Sequence, residues 1–477
     1  MNKQNVIVIM SDEHTRSVMG AYGNPLAQTP TLDKLANAGV RFTSAYTPSP
    51  ICISARASFA TGTNVFEHRC WSSAEPYYGQ QESWMHRLRD RGSKVVSIGK
   101  LHYRSKEDDL GFTDQQLPMY VANHGIGWPQ ALQRKPLAKY HGASELAADI
   151  GPGETTYTQY DRDITKASIE WLKKQTMSVS DIPWVLFVSF ICPHYPLSAP
   201  QKFYDMYRDV ELLPPYDCDP EKQLKHPVID AMREFWNYND YFTDQGRIEG
   251  LRNYYGLCSF LDDNIRQILE TLDDSKAKNN TQIIYTSDHG DLVGNHGIWC
   301  KSYMYEDSVG IPLTLTGPGI EPSVNNTPVS LTDLSATIEY TVTGKIESTQ
   351  QKWRSRPLQS FLENPEENRP IISEYHDGGS PCGIFMLRKN RWKYVYYPEN
   401  NPDLLFDIES DPQELHNLSG DPAFQPVRND MLDTLYGVLD PEKVNKDALS
   451  DQALLTEKLG GIEKIQQMES FNHTPVD

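Results

Sequence analysis

Cys52 and Arg56 stand four residues apart in SPICISARASFATG (49–62), a run of small residues entered through Pro48 and Pro50 and closed by Gly62. Positions i and i+4 share a helix face, and a helix amino terminus favours an anion. The segment is therefore equally readable as packing, a metal ligand, a thiol nucleophile or a cysteine destined for modification. Two further places carry acidic chemistry. The apolar run NVIVIM (5–10) leads into Ser11-Asp12-Glu13-His14, and QIIYTS (282–287) leads into Asp288-His289-Gly290-Asp291. Carboxylates gathered at one edge repel each other unless a cation lies between them, so a divalent metal is the economical reading. Helix capping and turn formation by Asp12 and Asp288 are the plain alternative. Cationic side chains follow three more strand ends or loops: Lys100 and His102 in GKLH, His194 in CPH, and Lys301 in NHGIWCK. Beside a metal, such groups describe a pocket for an oxyanion.

These residues need elements that bring them to one edge. NVIVIM, KVVSIG (94–99), WVLFVSFI (184–191), QIIYTS and IPLTLTG (311–317) read as buried strands, and 31–39 and 246–272 carry helical apolar spacing. Strands alternating with helices predict an α/β fold, a large mixed, mostly parallel sheet sandwiched by helices. In such sheets the chemistry collects at the carboxyl ends of the strands. From about residue 366 the pattern becomes aromatic-rich strands joined by Gly, Pro and Asn turns. That predicts a smaller α+β domain on an antiparallel sheet, dividing the chain into 1–365 and 366–477, with 441–477 as a peripheral polar tail.

The 477 residues carry a formal net charge of -19, which argues against nucleic acid and requires any anionic substrate to be held by a local cationic pocket. Seven cysteines without a CxxC pair suit a reducing compartment. No leader pattern and no span-length apolar run stand out, so a cytoplasmic protein without a membrane partner is expected. Oligomeric state is not legible.

As an ordered set the motifs resemble the sulfatase branch of the alkaline-phosphatase-like superfamily. The set runs through the opening acidic pair, GAYG (20–23), TPTLD (29–33), Cys52–Arg56, GKLH, CPH, SDHGDLVGNHG, MYEDSVGIPL and LLFDIESDPQELHNL. The resemblance implies that Cys52, the first position of a C-x-P-x-R motif, is oxidised to formylglycine by a maturation enzyme and that its hydrate is the nucleophile. It further implies one divalent metal, Ca2+ with Mn2+ as the alternative, held by Asp12, Asp288, His289 and the modified Cys52, with Glu13 at the place of a second Asp in many relatives, either a direct ligand or a hydrogen-bonding neighbour. Arg56 would steady charge on the nucleophile, and Lys100 and Lys301 would clamp the sulfate. His194 would serve the leaving oxygen and His102 the release of sulfate. Ser54 stands where the motif has proline. A thiolate of the tyrosine-phosphatase kind would need arginine at 58, which is Ser58. The implied substrate is a small-molecule or saccharide sulfate ester. The alternatives are a phosphonate monoester or phosphodiester hydrolase on the same scaffold, or a non-catalytic binder of sulfated ligands.

Overall fold

A computed structural model describes residues 3–138, 140, 142–176, 182–345, 354–470 and 473–476. In chain order the strands are β1 (Asn5–Asp12), β2 (Val40–Phe42), β3 (Ala45–Tyr46), β4 (Lys94–Lys100), β5 (Asp114–Met119), β6 (Trp184–Pro193), β7 (Thr281–Ser287), β8 (Leu313–Thr316), β9 (Ser323–Asn325) and β10 (Val329–Ser330). Eight of them form one sheet in the order β5-β4-β6-β1-β7-β8-β2-β9, and β3 pairs with β10 beside it. All pairings from β5 to β7 are parallel, while β8 runs against both of its neighbours, β7 and β2. The sheet is therefore mixed and mostly parallel, as the alternating pattern predicts.

The side-chain period of two sorts the central strands between two apolar layers. Val6, Val8 and Met10 of β1 face a layer containing Phe59, Leu88, Leu334 and Ile338. Ile7 and Ile9 face the other, with Leu32, Ile164, Leu172, Leu261, Ile265 and Ile268. The first layer is built by the helices Cys52–Thr61, Trp84–Asp90 and Asp333–Thr343. The second is built by Pro30–Ala38, Thr156–Thr176 and Asp244–Asp273. Because both faces are covered, every residue of β1 and β6 is buried, and the strands read as continuous apolar runs rather than alternating ones.

One buried carboxylate fixes the end of β6 where the CPH corner begins. Asp161 accepts the backbone N–H groups of Ile191 and Cys192, both at 2.9 Å. Asp161→Ala would strand two buried donors, so a loss of roughly 2–4 kcal/mol in urea unfolding is expected. Unchanged stability in that variant would show that the corner is held by other means.

Toward the end of the chain, β11 (Ile371–Tyr375), β12 (Ile384–Lys389), β13 (Trp392–Tyr396) and β14 (Leu404–Asp407) form an antiparallel meander. The two-residue turn between β12 and β13 places Asn390 at φ 55°, a left-handed conformation that asparagine tolerates. Residues 441–477 are not the peripheral tail that their polarity suggests. The helix Pro441–Lys458 buries Val444, Asn445, Ala448 and Gln452, and the Gln452 amide donates to the His376 carbonyl at 2.7 Å. Its surface polarity hid a narrow apolar stripe. Among the described residues, no helix is long and apolar enough to cross a membrane.

Candidate active site

The helix Cys52–Thr61 starts where the chain leaves extended backbone at Ile51 and ends on Gly62 in the left-handed region, φ 72°. All ten of its residues are buried. Cys52 is thus fixed at a helix amino terminus, inside the protein and opposite the carboxyl ends of β1 and β7.

There, Asp12, Cys52, Asp288 and His289 offer one ligand atom each, all within 4.8 Å of one another. The Cys52 sulfur lies 3.1 Å from His289 Nε2 and 3.5 Å from Asp12 Oδ1. His289 Nδ1 lies 3.0 Å from the Gly290 carbonyl, so it must carry the proton, and Nε2 turns its lone pair toward the cluster. That lone pair faces Asp288 Oδ1 at 3.6 Å and Asp12 Oδ1 at 3.7 Å. Burial lowers the His289 pKa despite the Asp288 charge, which keeps the ring neutral. His289 Nε2 and one oxygen each of Asp12 and Asp288 thus converge on the Cys52 sulfur, four donor atoms gathered in one buried place. The donor set fits a divalent metal.

Glu13, expected with these ligands, is not in the four-residue group. Its backbone is left-handed at φ 68°, and its carboxylate groups instead with Asp291 and Cys300, and with Asp12 and His194. Burial pushes the Glu13 carboxyl up to about 8, against the pull of Lys301.

Arg56 spends its hydrogen bonds elsewhere. Rather than reaching for residue 52, its Nε donates to Asp288 Oδ2 at 2.7 Å and its Nη2 to Asp12 Oδ2 at 3.2 Å. Nη1 donates to the Lys100 carbonyl at 2.9 Å and Ser189 Oγ at 2.8 Å. One buried guanidinium thus ties together the ends of β1, β4, β6 and β7. Its charge acts on residue 52 only through space.

Two lysines complete the centre. Lys100 Nζ is 2.5 Å from Asp12 Oδ2. Lys301 Nζ lies 3.2 Å from the Cys52 sulfur and 3.3 Å from Glu13 Oε2. Burial would raise the Asp12 carboxyl, but the neighbouring cations, Lys100 foremost, hold it well below the usual range. Burial, reinforced by the Asp12 charge, pushes the Cys52 thiol up to about 12. As a thiol in this environment it stays protonated at neutral pH and is a poor nucleophile. His194 and His102 are buried at the same place, and burial with the nearby lysines holds both rings well below the usual histidine range. His14 and His296 are not part of it. His14 bonds Tyr285 and the Val18 carbonyl, and His296 pairs with Asp217 at 2.8 Å.

The family model described as Sulfatase matches residues 4–340, and the model described as N-sulphoglucosamine sulphohydrolase, C-terminal, matches 294–440. The chain belongs to the sulfatase family. It is a sulfuric ester hydrolase with the alkaline-phosphatase-like fold. A choline-sulfatase of Rhizobium meliloti (strain 1021) is 30% identical over 434 residues, covering 88% of this chain and 83% of the relative. Arylsulfatase K of Danio rerio is 27% identical, covering 93% and 85%. A solved structure holding its substrate D-glucosamine-2-N,6-O-disulfate superposes with TM-score 0.72 at 19% identity, over 94% of this chain and 99% of the other. The phosphonate monoester hydrolase of Agrobacterium radiobacter superposes at 0.71 with 21% identity, over 91% and 95%. Sulfatases generally use a metal ion and a cysteine-derived formylglycine, and the Asp12, Cys52, Asp288 and His289 cluster is the matching constellation here.

Beyond the sulfatase centre opens a cavity of about 130 Å³, walled by Trp128, Tyr140, Tyr157, Tyr195, Trp236 and Tyr238 and bordered by Lys100, His102, His194 and Lys301. These rings come from the aromatic-rich segments 103–180 and 195–245, where Tyr157 and Trp236 stand on helices rather than loops; the composition of these segments was the one signal of a binding wall. Four residues carried no such signal. Ser189 supports Arg56, and Asp377 lines the cavity while accepting the Ser73 N–H at 3.0 Å and hydroxyl at 2.6 Å. His473 and Thr474 reach the same cavity from far along the chain.

Proposed function

We propose that this sulfatase hydrolyses a sulfate monoester, with residue 52 in the formylglycine form as nucleophile and one divalent cation held by Asp12, Asp288, His289 and residue 52. The observation that carries the reading is the convergence of Asp12, Asp288 and His289 on Cys52 at a buried helix start, flanked by Lys100 and Lys301. Calcium is the family's usual metal, and the imidazole of His289 admits manganese. When bound, the cation would supply positive charge against the sulfate oxygens and the nucleophile. Glu13 is better read as a partner of Lys301 than as a ligand.

The chain's own groups then divide the work. Lys301 and Lys100 place two positive charges beside residue 52, where a sulfate's oxygens would gain charge during transfer. His194, whose Nδ1 is bonded to the Tyr195 carbonyl at 2.8 Å, presents Nε2 toward the centre and is placed to serve the leaving oxygen. His102, neutral and bordering the same cavity, is placed to take a proton from residue 52 so that the aldehyde is restored. Arg56 holds Asp12 and Asp288 in position.

The cavity matches a compact leaving group, since an apolar space of about 150 Å³ accommodates one benzene ring. The relatives are named for choline and aryl sulfates, and one structural neighbour for a sulfated glucosamine. A screen of choline sulfate, aryl sulfates and monosaccharide sulfates is expected to find turnover among the smallest of these. Matched phosphonate monoesters should be slower, and Lys100→Ala should narrow the gap. Faster phosphonate turnover would assign the chain to the phosphonate hydrolase activity of its structural neighbour, and tight sulfate-ester binding without turnover would make it a binder. Seven free thiols favour a reducing compartment, and we assign the protein to the cytoplasm.

A further inference from the structure

His102 has one hydrogen-bonded ring nitrogen. Its Nε2 lies 3.0 Å from the Thr474 hydroxyl, while Nδ1 is buried without a hydrogen-bond partner among the described residues. The residue's backbone is left-handed at φ 54°, a conformation that a non-glycine residue keeps only where its surroundings hold it. The nearest neighbours in sequence do not hold the ring, and Thr474 lies 372 positions away. Thr474 is itself well anchored. Its carbonyl accepts the Tyr157 hydroxyl at 2.7 Å, and Val476 packs into the apolar layer that contains Met119 and Tyr157. His473 stands edge-on to Tyr157 at 5.2 Å and to Tyr195 at 6.5 Å between centroids, and lines the cavity beside them. Val476 alone would seat the segment. A hydroxyl aimed at the ring of a site histidine asks for a further account.

We propose that Thr474 is a positioning residue for His102 and that His473 is the specificity wall of the leaving-group cavity. The inference rests on reading this site as a sulfate esterase. With His102 neutral, one ring nitrogen carries the proton and the other a lone pair. The Thr474 hydroxyl bonds Nε2 in either tautomer, accepting from Nε2–H or donating to its lone pair, so what it fixes is the ring orientation that a base needs. Without that hydroxyl, the ring angle is not fixed. His473, beside it, sets how large a group fits opposite the nucleophile.

The test compares Thr474→Val, Thr474→Ser and His473→Ala with wild type, using 4-nitrophenyl sulfate, the bulkier 4-methylumbelliferyl sulfate and ¹⁵N-histidine spectra. Thr474→Val should lower kcat about tenfold with KM little changed, as loss of alignment does, and shift the ring nitrogens of His102. Thr474→Ser should restore both. His473→Ala should raise kcat/KM for the bulkier ester relative to the smaller about fivefold, the scale of a relieved apolar clash. Unaltered His102 resonances with unaltered kcat in Thr474→Val overturn the positioning role, and an unaltered ester ratio in His473→Ala overturns the wall. If wild type cleaves no sulfate ester, the functional reading falls. The His102 resonances then decide the positioning role by themselves, and the comparative binding of the two esters decides the wall.

Discussion

Cys52→Ala, folded as wild type, is expected to hydrolyse sulfate esters at least roughly 10⁴-fold more slowly, the scale on which removal of a nucleophile is felt. The reason lies in what a thiol cannot do at this position. Burial and the Asp12 charge keep it protonated, at about 12. Even a thiolate that captured sulfate would have no second hydroxyl with which to expel it. Activity should therefore rise in proportion to the formylglycine fraction measured by peptide mass spectrometry. Ser54 bears on that fraction and not on the folded site. It lies in the first turn of the helix, where the first intrahelical bond is from Ala55 N to the Ile51 carbonyl at 3.0 Å. The Ser54 N–H thus has no helical acceptor to lose, so serine and proline are interchangeable there once the chain has folded. Ser54→Pro is expected to leave stability unchanged and to raise conversion. Host-purified protein that turns over with Cys52 entirely as free thiol would refute this account of the nucleophile.

How far the sequence reached can be judged residue by residue. The five apolar runs are all strands, because a strand covered on both faces must be apolar throughout, and that signal is local. The direction of β8 was not legible, since neither its composition nor that of its neighbours records which way the chain returns. The gathering was legible where a residue sits at a strand end, since Asp12, Asp288, Lys100 and His194 do meet at one edge of the sheet. Partners were not legible where one residue could satisfy several: Arg56 and Cys52 share a helix face, yet the guanidinium gives its hydrogen bonds to two buried carboxylates at 3.2 Å and 2.7 Å. Glu13 follows Asp12 directly and its carboxylate groups with Asp12 and His194 and with Asp291 and Cys300, a division that adjacency in sequence does not record. Thr474 was invisible because only the packing of Val476 and the Tyr157 hydroxyl bring it to His102, and neither leaves a mark in spacing.

The metal makes the second large prediction, and the network around Arg56 decides how to test it. Asp288→Ala removes a ligand, but it also strips a buried guanidinium of its 2.7 Å partner. Leaving such a charge uncompensated costs about 3–5 kcal/mol, so lost activity in that variant would confound metal loss with unfolding. His289 is the cleaner handle. Its ring bonds only the Gly290 carbonyl and the cluster, and Arg56 keeps both carboxylates when it is truncated. His289→Ala is therefore expected to stay folded, to drop from one divalent ion per chain toward none by elemental analysis, and to lose at least roughly 10³-fold in turnover. In wild type, exhaustive chelation should do the same and should lower thermal stability, because a ligand present at 100 times its Kd stabilises the native state by about 2.7 kcal/mol. The His289→Ala protein should show little of that shift when metal is returned. Full turnover by verified metal-free wild type would remove the cation from the mechanism and leave the convergence of Asp12, Asp288 and His289 on residue 52 without a chemical purpose.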